Sequence, residues 1–122
     1  MSVNNFSKEG ENLAEIHLVK NKYKILERNY RALRGEIDII CRKKKIIVFI
    51  EVKRRRSVQF GDGAEAVQFF KIKQIQKVAL FYIKQKKIED VSYRFDVISI
   101  LGEENPKINH IENAFEAIDS IF

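Results

Sequence analysis

The chain of 122 residues predicts an α/β domain in which a mixed sheet is flanked by helices. Three observations predict it. Two strand-like runs, "GEIDIIC" (Gly35 to Cys41) and "IIVFIEVK" (Ile46 to Lys53), stand close enough to form a hairpin. A long run with helical apolar spacing follows them. A third strand-like run, "VSYRFDVISIL" (Val91 to Leu101), comes after that helix. Local strand connections followed by a helical crossover give a mixed sheet with helices on its faces.

The first element is a helix from about Ser7 to Lys20, with Ser7 as its cap and Leu13, Ala14, Ile16, Leu18 and Val19 as apolar positions. Asn21-Lys22 ends it. "YKILERN" (Tyr23 to Asn29) reads as a strand with Tyr23, Ile25 and Glu27 on one face. The hairpin comes next, around Arg42 to Lys45. Lysine is a poor residue for a tight primed turn, so the hairpin rests on its two strands. Asp62, with Glu65 three residues on, suits a capping box. From there the helical spacing runs through Phe69, Ile72, Ile75, Val78, Ala79 and Tyr82 to about Lys86. After the Val91–Leu101 strand and the loop "GEENPK", the segment "INHIENAF" is a last short strand or an irregular turn. The order is α-β-β-β-α-β with room for one more β, in a single domain spanning 1–122.

Composition narrows the function. Hydrophobic residues make up 45% of the chain and there is one proline, which excludes a disordered chain. No apolar run reaches the length of a membrane span, and "MSVNNFSKEG" lacks the apolar region of a signal peptide. The single cysteine, Cys41, forms no internal disulfide and reads as a small apolar packing residue in a strand. The expectation is a cytoplasmic protein with no membrane partner. The formal net charge of +6 favours a phosphate-bearing partner.

The informative stretch is "FIEVKRRR", Phe49 to Arg56. A strand that follows Ile46-Ile47-Val48 carries Glu51 and Lys53 and then three arginines. Charged side chains are rarely buried unless paired. Strand side chains alternate faces, so Glu36, Asp38 and Ile40 share one face and Phe49, Glu51 and Lys53 share another. A two-residue turn at Lys44-Lys45 sets Lys43 against Ile46 and Asp38 against Glu51; an odd loop or a bulge would separate them. Facing carboxylates repel, and a divalent cation resolves the conflict. Mg2+ or Mn2+ takes such oxygen ligands with water and phosphate oxygens. Lys53 beside the ion would orient a water or balance charge at a phosphate. Glu36, on the same face, is the rival partner. An E-x-K pair by itself is common on strands, where it is mostly a solvated edge or a salt bridge.

These residues carry a resemblance. "GEID" and "VFIEVK" are similar to the core of the PD-(D/E)xK nuclease superfamily. The chain as a whole resembles the YraN family, related to Holliday-junction resolvases, from "EGENLAE" through "ILERNYRALRGEIDII", "IVFIEVKRR", "FGDGAEAVQFFK" and "YRFDVISI" to "INHIENAF". The resemblance implies a restriction-endonuclease-like fold and binding to DNA or RNA. It implies Asp38, Glu51 and Lys53 as the catalytic motif and Asp38 and Glu51 as metal ligands. Glu11 matches an acidic residue that often joins the metal, and Lys71 a position able to approach a phosphate. Ile37 stands where the superfamily motif has proline.

Arg28, Arg31, Arg34, Arg54 and Arg55 suit a phosphate-contacting surface, although solvated strand ends look the same. Tyr30, His17 and His110 read as packing or surface residues, and Asp96 as a partner of Arg94. The acidic segment from Glu103 onward is expected to face away from nucleic acid. The function expected is a metal-dependent DNA endonuclease acting on branched or single-stranded DNA. The alternative is a non-catalytic module that keeps the fold and binds nucleic acid. A homodimer suits a two-fold junction.

Overall fold

The computed structural model describes residues 3–57 and 69–115. Helix α1 (Val3–Lys20) leads into strands β1 (Lys24–Ala32), β2 (Gly35–Lys43) and β3 (Ile46–Arg55). Helix α2 (Phe69–Gln85) then crosses to β4 (Ser92–Leu101), and β5 (Lys107–Ile111) closes the order. The Asp62 and Glu65 cap lies outside the described residues. The five strands form one sheet in the order β1-β2-β3-β4-β5, with β3 and β4 parallel and the other pairs antiparallel. This five-stranded mixed sheet between two helices agrees with a restriction-endonuclease-like fold.

Each helix covers one face. Ala14 and Leu18 of α1 pack with Tyr23, Ile39, Cys41, Val48, Ile50, Ile98 and Ile100. Ile75, Val78, Ala79 and Tyr82 of α2 pack with Ile37, Ile40, Ile47, Phe49 and Phe95 on the opposite face. Along β3 the alternation is strict, so a run of apolar residues is buried on both sides. Burial pushes the Cys41 thiol up to about 12, so it stays a protonated packing group. Tyr30 is likewise a packing residue: its ring meets Tyr82 edge-on and its hydroxyl donates to Gln85 at 2.8 Å. No helix among the described residues is long and apolar enough to cross a membrane.

Three local expectations change. Helix α1 starts at Val3, four residues before Ser7. The Phe6 ring lies under the Arg54 and Arg56 guanidinium groups, at 4.2 and 4.0 Å, which anchors the extra turn in tertiary structure. Strand β1 runs on to Ala32 and closes a tight hairpin through Leu33 and Arg34, with φ of 50° and 63°. A bulge between Ile25 and Glu27 also breaks the expected face. Tyr23 and Ile25 pack on the α1 side, while Glu27 sits 3.9 Å from Lys86, just past α2.

Candidate functional site

The hairpin register is the one counted from a two-residue Lys44-Lys45 turn. Lys43 pairs with Ile46, and the ladder runs up to Ile39 against Ile50. Asp38 and Glu51 are the next residues across. Here the pattern of β2 slips: Ile37 and Ile40 both face α2, while Ile39 and Cys41 face α1. Simple alternation along Glu36, Asp38 and Ile40 therefore does not hold. At the slip the Val52 N–H donates to Asp38 Oδ2 at 2.8 Å.

Asp38 and Glu51 line two adjoining hollows at the rim of the sheet. On the α2 side they are joined by Gly35, Glu36, Lys71, Gln74 and Ile75. On the α1 side they are joined by Ser7, Glu11, Val52 and Arg54. Gly35 lets α2 come close: a Cβ there would lie 2.8 Å from Val78 Cγ2, and Gln74 Nε2 donates to the Leu33 carbonyl at 2.6 Å.

Glu51 is only 8% exposed. Burial pushes the Asp38 carboxyl up to about 8, aided by its hydrogen bond with the Glu51 carboxyl and by that group's charge. The Val52 N–H pulls the other way and loses. Lys71 Nζ stands 2.7 Å from Glu51 Oε2. That contact has the distance of an ion pair, yet Glu51 Oε2 has no hydrogen bond of acceptable geometry. Lys71 is about half exposed, so its hold on the buried oxygen is screened by water.

The other expected site residues fall into two groups. Glu11 reaches the same hollow as the pair, but its Oε1 already accepts from Arg28 at 3.3 Å and from Asn29 at 3.0 Å. Arg28 also donates to Glu15 and Asn12, so it ties α1 to β1. Arg54 is turned inward, its side chain 6% exposed, donating to the Phe6 carbonyl and to Glu9. Gly10 makes room for it, since a Cβ there would meet Arg54 Cδ at 3.1 Å. In the second group, Arg31 and Arg34 are exposed beside Glu36 and line a neighbouring hollow with it. Arg55 lines a hollow with Phe6 and Arg56. Lys53 is partly exposed and unpaired among the described residues. Glu36 lines the cleft too, but Asn29 and Arg31 hold its carboxylate.

Sequence reasoning missed two features. Asn29 adopts φ of 50° and bridges Glu11 and Glu36 through its side-chain amide. Asparagine before a charged turn is the available signal, because it tolerates that backbone region. The second is a polar cluster on the α1 side. His17 Nε2 lies 3.1 Å from His110 Nδ1, and His110 Nε2 lies 2.8 Å from Asp96 Oδ2. The expected Arg94–Asp96 pair is there as well, bidentate at 2.8 and 2.9 Å. The histidines are 93 residues apart in sequence, so no local pattern joins them.

Among the described residues no three His, Cys, Asp or Glu side chains form a ready metal cage. A hard cation at the rim would rest on Asp38 and Glu51, with backbone oxygen and water completing its shell. The orphaned Glu51 Oε2 and the repelling pair fit that donor set.

Comparison with known proteins gives the same family along most of the chain. A UPF0102 protein of Geobacter metallireducens is 49% identical over 119 residues, covering 95% of this chain and 98% of the relative. One from Syntrophomonas wolfei is 50% identical over 107 residues, covering 87% and 93%. One from Fusobacterium nucleatum is 49% identical over 111 residues, covering 91% and 93%. The model of the uncharacterised protein family UPF0102 matches residues 10–100, and the chain belongs to that family, the YraN family of the sequence resemblance.

Proposed function

We propose that the protein binds nucleic acid and hydrolyses phosphodiester bonds in DNA with Mg2+ or Mn2+, acting at branched or single-stranded structures. The observation that carries this reading is the buried Asp38–Glu51 pair. Two carboxyls, one pushed up to about 8 by burial and by its neighbour, meet at the rim of a cleft, and among the described residues no buried cation is locked onto both. A bound ion would polarise the phosphate and lower the pKa of an attacking water. Asp38 and Glu51 would hold the ion, with the Val52 carbonyl as a candidate further oxygen. Glu11 assists directly or through water once Arg28 and Asn29 release part of its hold. Lys53 orients the water, and its ammonium, unpaired among the described residues, is available for that task. With an ion held by Glu51, Lys71 would be free to meet a phosphate oxygen. Exposed Arg31 and Arg34 and partly exposed Arg55 hold the backbone, while Arg28 and Arg54 keep α1 in place over the site.

The second reading is a module that keeps the fold and binds nucleic acid without cutting. The internal pairing of Lys71 with Glu51 and of Arg28 with Glu11 favours it. Incubation of linear, flapped and four-way DNA with Mg2+ or Mn2+ separates the two. Cleavage that needs the metal and is lost in both Asp38→Ala and Lys53→Ala, with DNA binding retained in Lys53→Ala, supports the enzyme. Full cleavage by Lys53→Ala rules out this mechanism.

A further inference from the structure

We infer that the end of the sheet remote from the carboxylate pair is a separate nucleic-acid backbone-binding surface, built from three lysine-bearing turns. The inference builds on the nucleic-acid reading above but not on cleavage. The topology puts the turns together. Strands β1, β3 and β4 all start at this end, so the α1–β1 turn, the β2–β3 turn and the α2–β4 turn lie side by side. Lys24 pairs with Arg42, Ile46 pairs with Ser92, and the Ser92 N–H donates to the Lys45 carbonyl. Lys43 Nζ lies 4.8 Å over the Tyr23 ring.

Charge collects there. The segments 20–24, 42–45 and 84–87 hold ten of the 23 Lys and Arg residues. The carboxylates nearby are Glu27, Glu89, Asp90 and, toward Tyr23, Glu112, while Asp96 there is matched by Arg94. This end therefore carries about the whole chain's formal net charge of +6, and the remainder is close to neutral.

The backbone supplies a second, independent observation. Both helices end in Schellman motifs: Tyr23 N–H donates to the Leu18 carbonyl and Lys22 N–H to that of Val19. Ile88 N–H donates to the Ile83 carbonyl and Lys87 N–H to that of Lys84 in the same way. The left-handed position of this motif is usually glycine. Here it is Lys22 with φ of 72° and Lys87 with φ of 53°, and the hairpin turn adds Lys44 with φ of 54°. Elsewhere most such positions are Asn or Asp, namely Asn29, Asp90, Asn105 and Asn113. Lysines at Lys20 and Lys84 complement the helix dipoles. The three left-handed lysines are disfavoured by their own backbone, and what each adds is an outward charge.

Nine of these ten cations are lysine, a compact charge suited to sequence-independent neutralisation of phosphates rather than to bidentate base reading. No large apolar side chain is exposed within the three segments, so an anchor for a lipid surface is lacking there.

The backbone strain makes a clean test available. The K22G/K44G/K87G variant removes three charges and relieves three turns. Binding of a short labelled duplex is followed by fluorescence anisotropy in EDTA across a salt series. The variant should melt no lower than the parent. It should bind on the order of a hundredfold more weakly near ~0.1 M salt, with the log–log salt slope shallower by about 0.9 per charge removed. K22R/K44R/K87R should bind like the parent. K45Q/K84Q, at ordinary φ, should also flatten the slope. A parent that binds the duplex while K22G/K44G/K87G binds it equally well, with the same slope, overturns this inference alone. A parent that ignores the duplex overturns the inference, and one that also ignores four-way and single-stranded DNA takes the nucleic-acid reading down with it. Binding of phosphatidylserine vesicles, but not duplex, at the same salt also overturns the inference.

Discussion

Among its described residues the protein buries acidic groups in two places, and it treats them in opposite ways. Asp96 on β4 is fully buried. Burial pushes its carboxyl up, but His110, the Arg94 guanidinium and the Asn113 N–H together overcome that and hold it below the usual carboxylate range. Every strong acceptor site on Asp96 meets a donor, and His17 extends the chain to α1. Neutral histidines satisfy both contacts when His110 donates through Nε2 and accepts at Nδ1 from His17. At Asp38 and Glu51 two carboxyls share one site, and among the described residues each has a single donor: the Val52 N–H at 2.8 Å for Asp38 and Lys71 at 2.7 Å for Glu51. One half-exposed lysine touches the pair from one side. A carboxylate meant to stabilise a fold is surrounded by donors. A pair left facing each other needs something from outside.

The comparison sets opposite signs for pH. The lowered pKa of Asp96 means that its stabilisation is present above the unfolded value and is lost as pH falls through the folded one. The raised pKa of Asp38 means that its stabilisation is present below the unfolded value near ~4 and is lost as pH rises toward the folded value of about 8.

The largest expected effect is at the satisfied site. Asp96→Ala strands Arg94 and His110 and should cost about 3–5 kcal/mol in urea unfolding at neutral pH. A loss under ~1 kcal/mol would show that the cluster is solvated rather than buried. The next effect is at the unsatisfied one. Mn2+ at a hundredfold excess over its dissociation constant should stabilise the parent by about 2.7 kcal/mol and Asp38→Asn hardly at all. Equal stabilisation of both proteins would place the ion elsewhere. In EDTA, Asp38→Asn should be more stable than the parent by on the order of 1 kcal/mol at neutral pH, because it supplies a neutral group of nearly the same shape without the cost of holding a carboxyl protonated above its unfolded pKa. Destabilisation instead would make Asp38 a structural acceptor for the Val52 N–H. The smallest effect is at Glu11, whose charge adds a minor upward push on Asp38. Glu11→Gln should lower the Asp38 pKa slightly, and an increase would contradict the placement of Glu11 beside the pair.

How legible this was in the sequence depended on distance along the chain. The approach of Asp38 to Glu51 followed from a turn of two residues and a count back along two strands, although the ladder ends at Ile39 against Ile50 and the slip of β2 at Asp38 was not visible. The order of elements along the chain followed from apolar runs that the core does bury. The Leu33-Arg34 turn and the start of α1 at Val3 were not visible. The first uses residues that carry no turn signal, and the second depends on Phe6 packing under arginines from β3. Arg28 and Arg54 looked like surface charge because sequence does not report which cations turn inward; Gly10 is the trace that Arg54 leaves. The Asp96 cluster was half legible. Arg94 lies two residues away and was expected, whereas His17 and His110 meet only in the folded chain.

The central claim is that Asp38 and Glu51 form an unresolved pair awaiting a cation. It is tested most directly by titrating the side-chain carboxyl of Asp38 by 13C NMR, in EDTA and then in saturating Mg2+. The account predicts an apparent pKa far above the ordinary carboxylate range in EDTA, near the value of about 8, and a large fall when Mg2+ is present. A midpoint near ~4 in EDTA that Mg2+ leaves unmoved would contradict it.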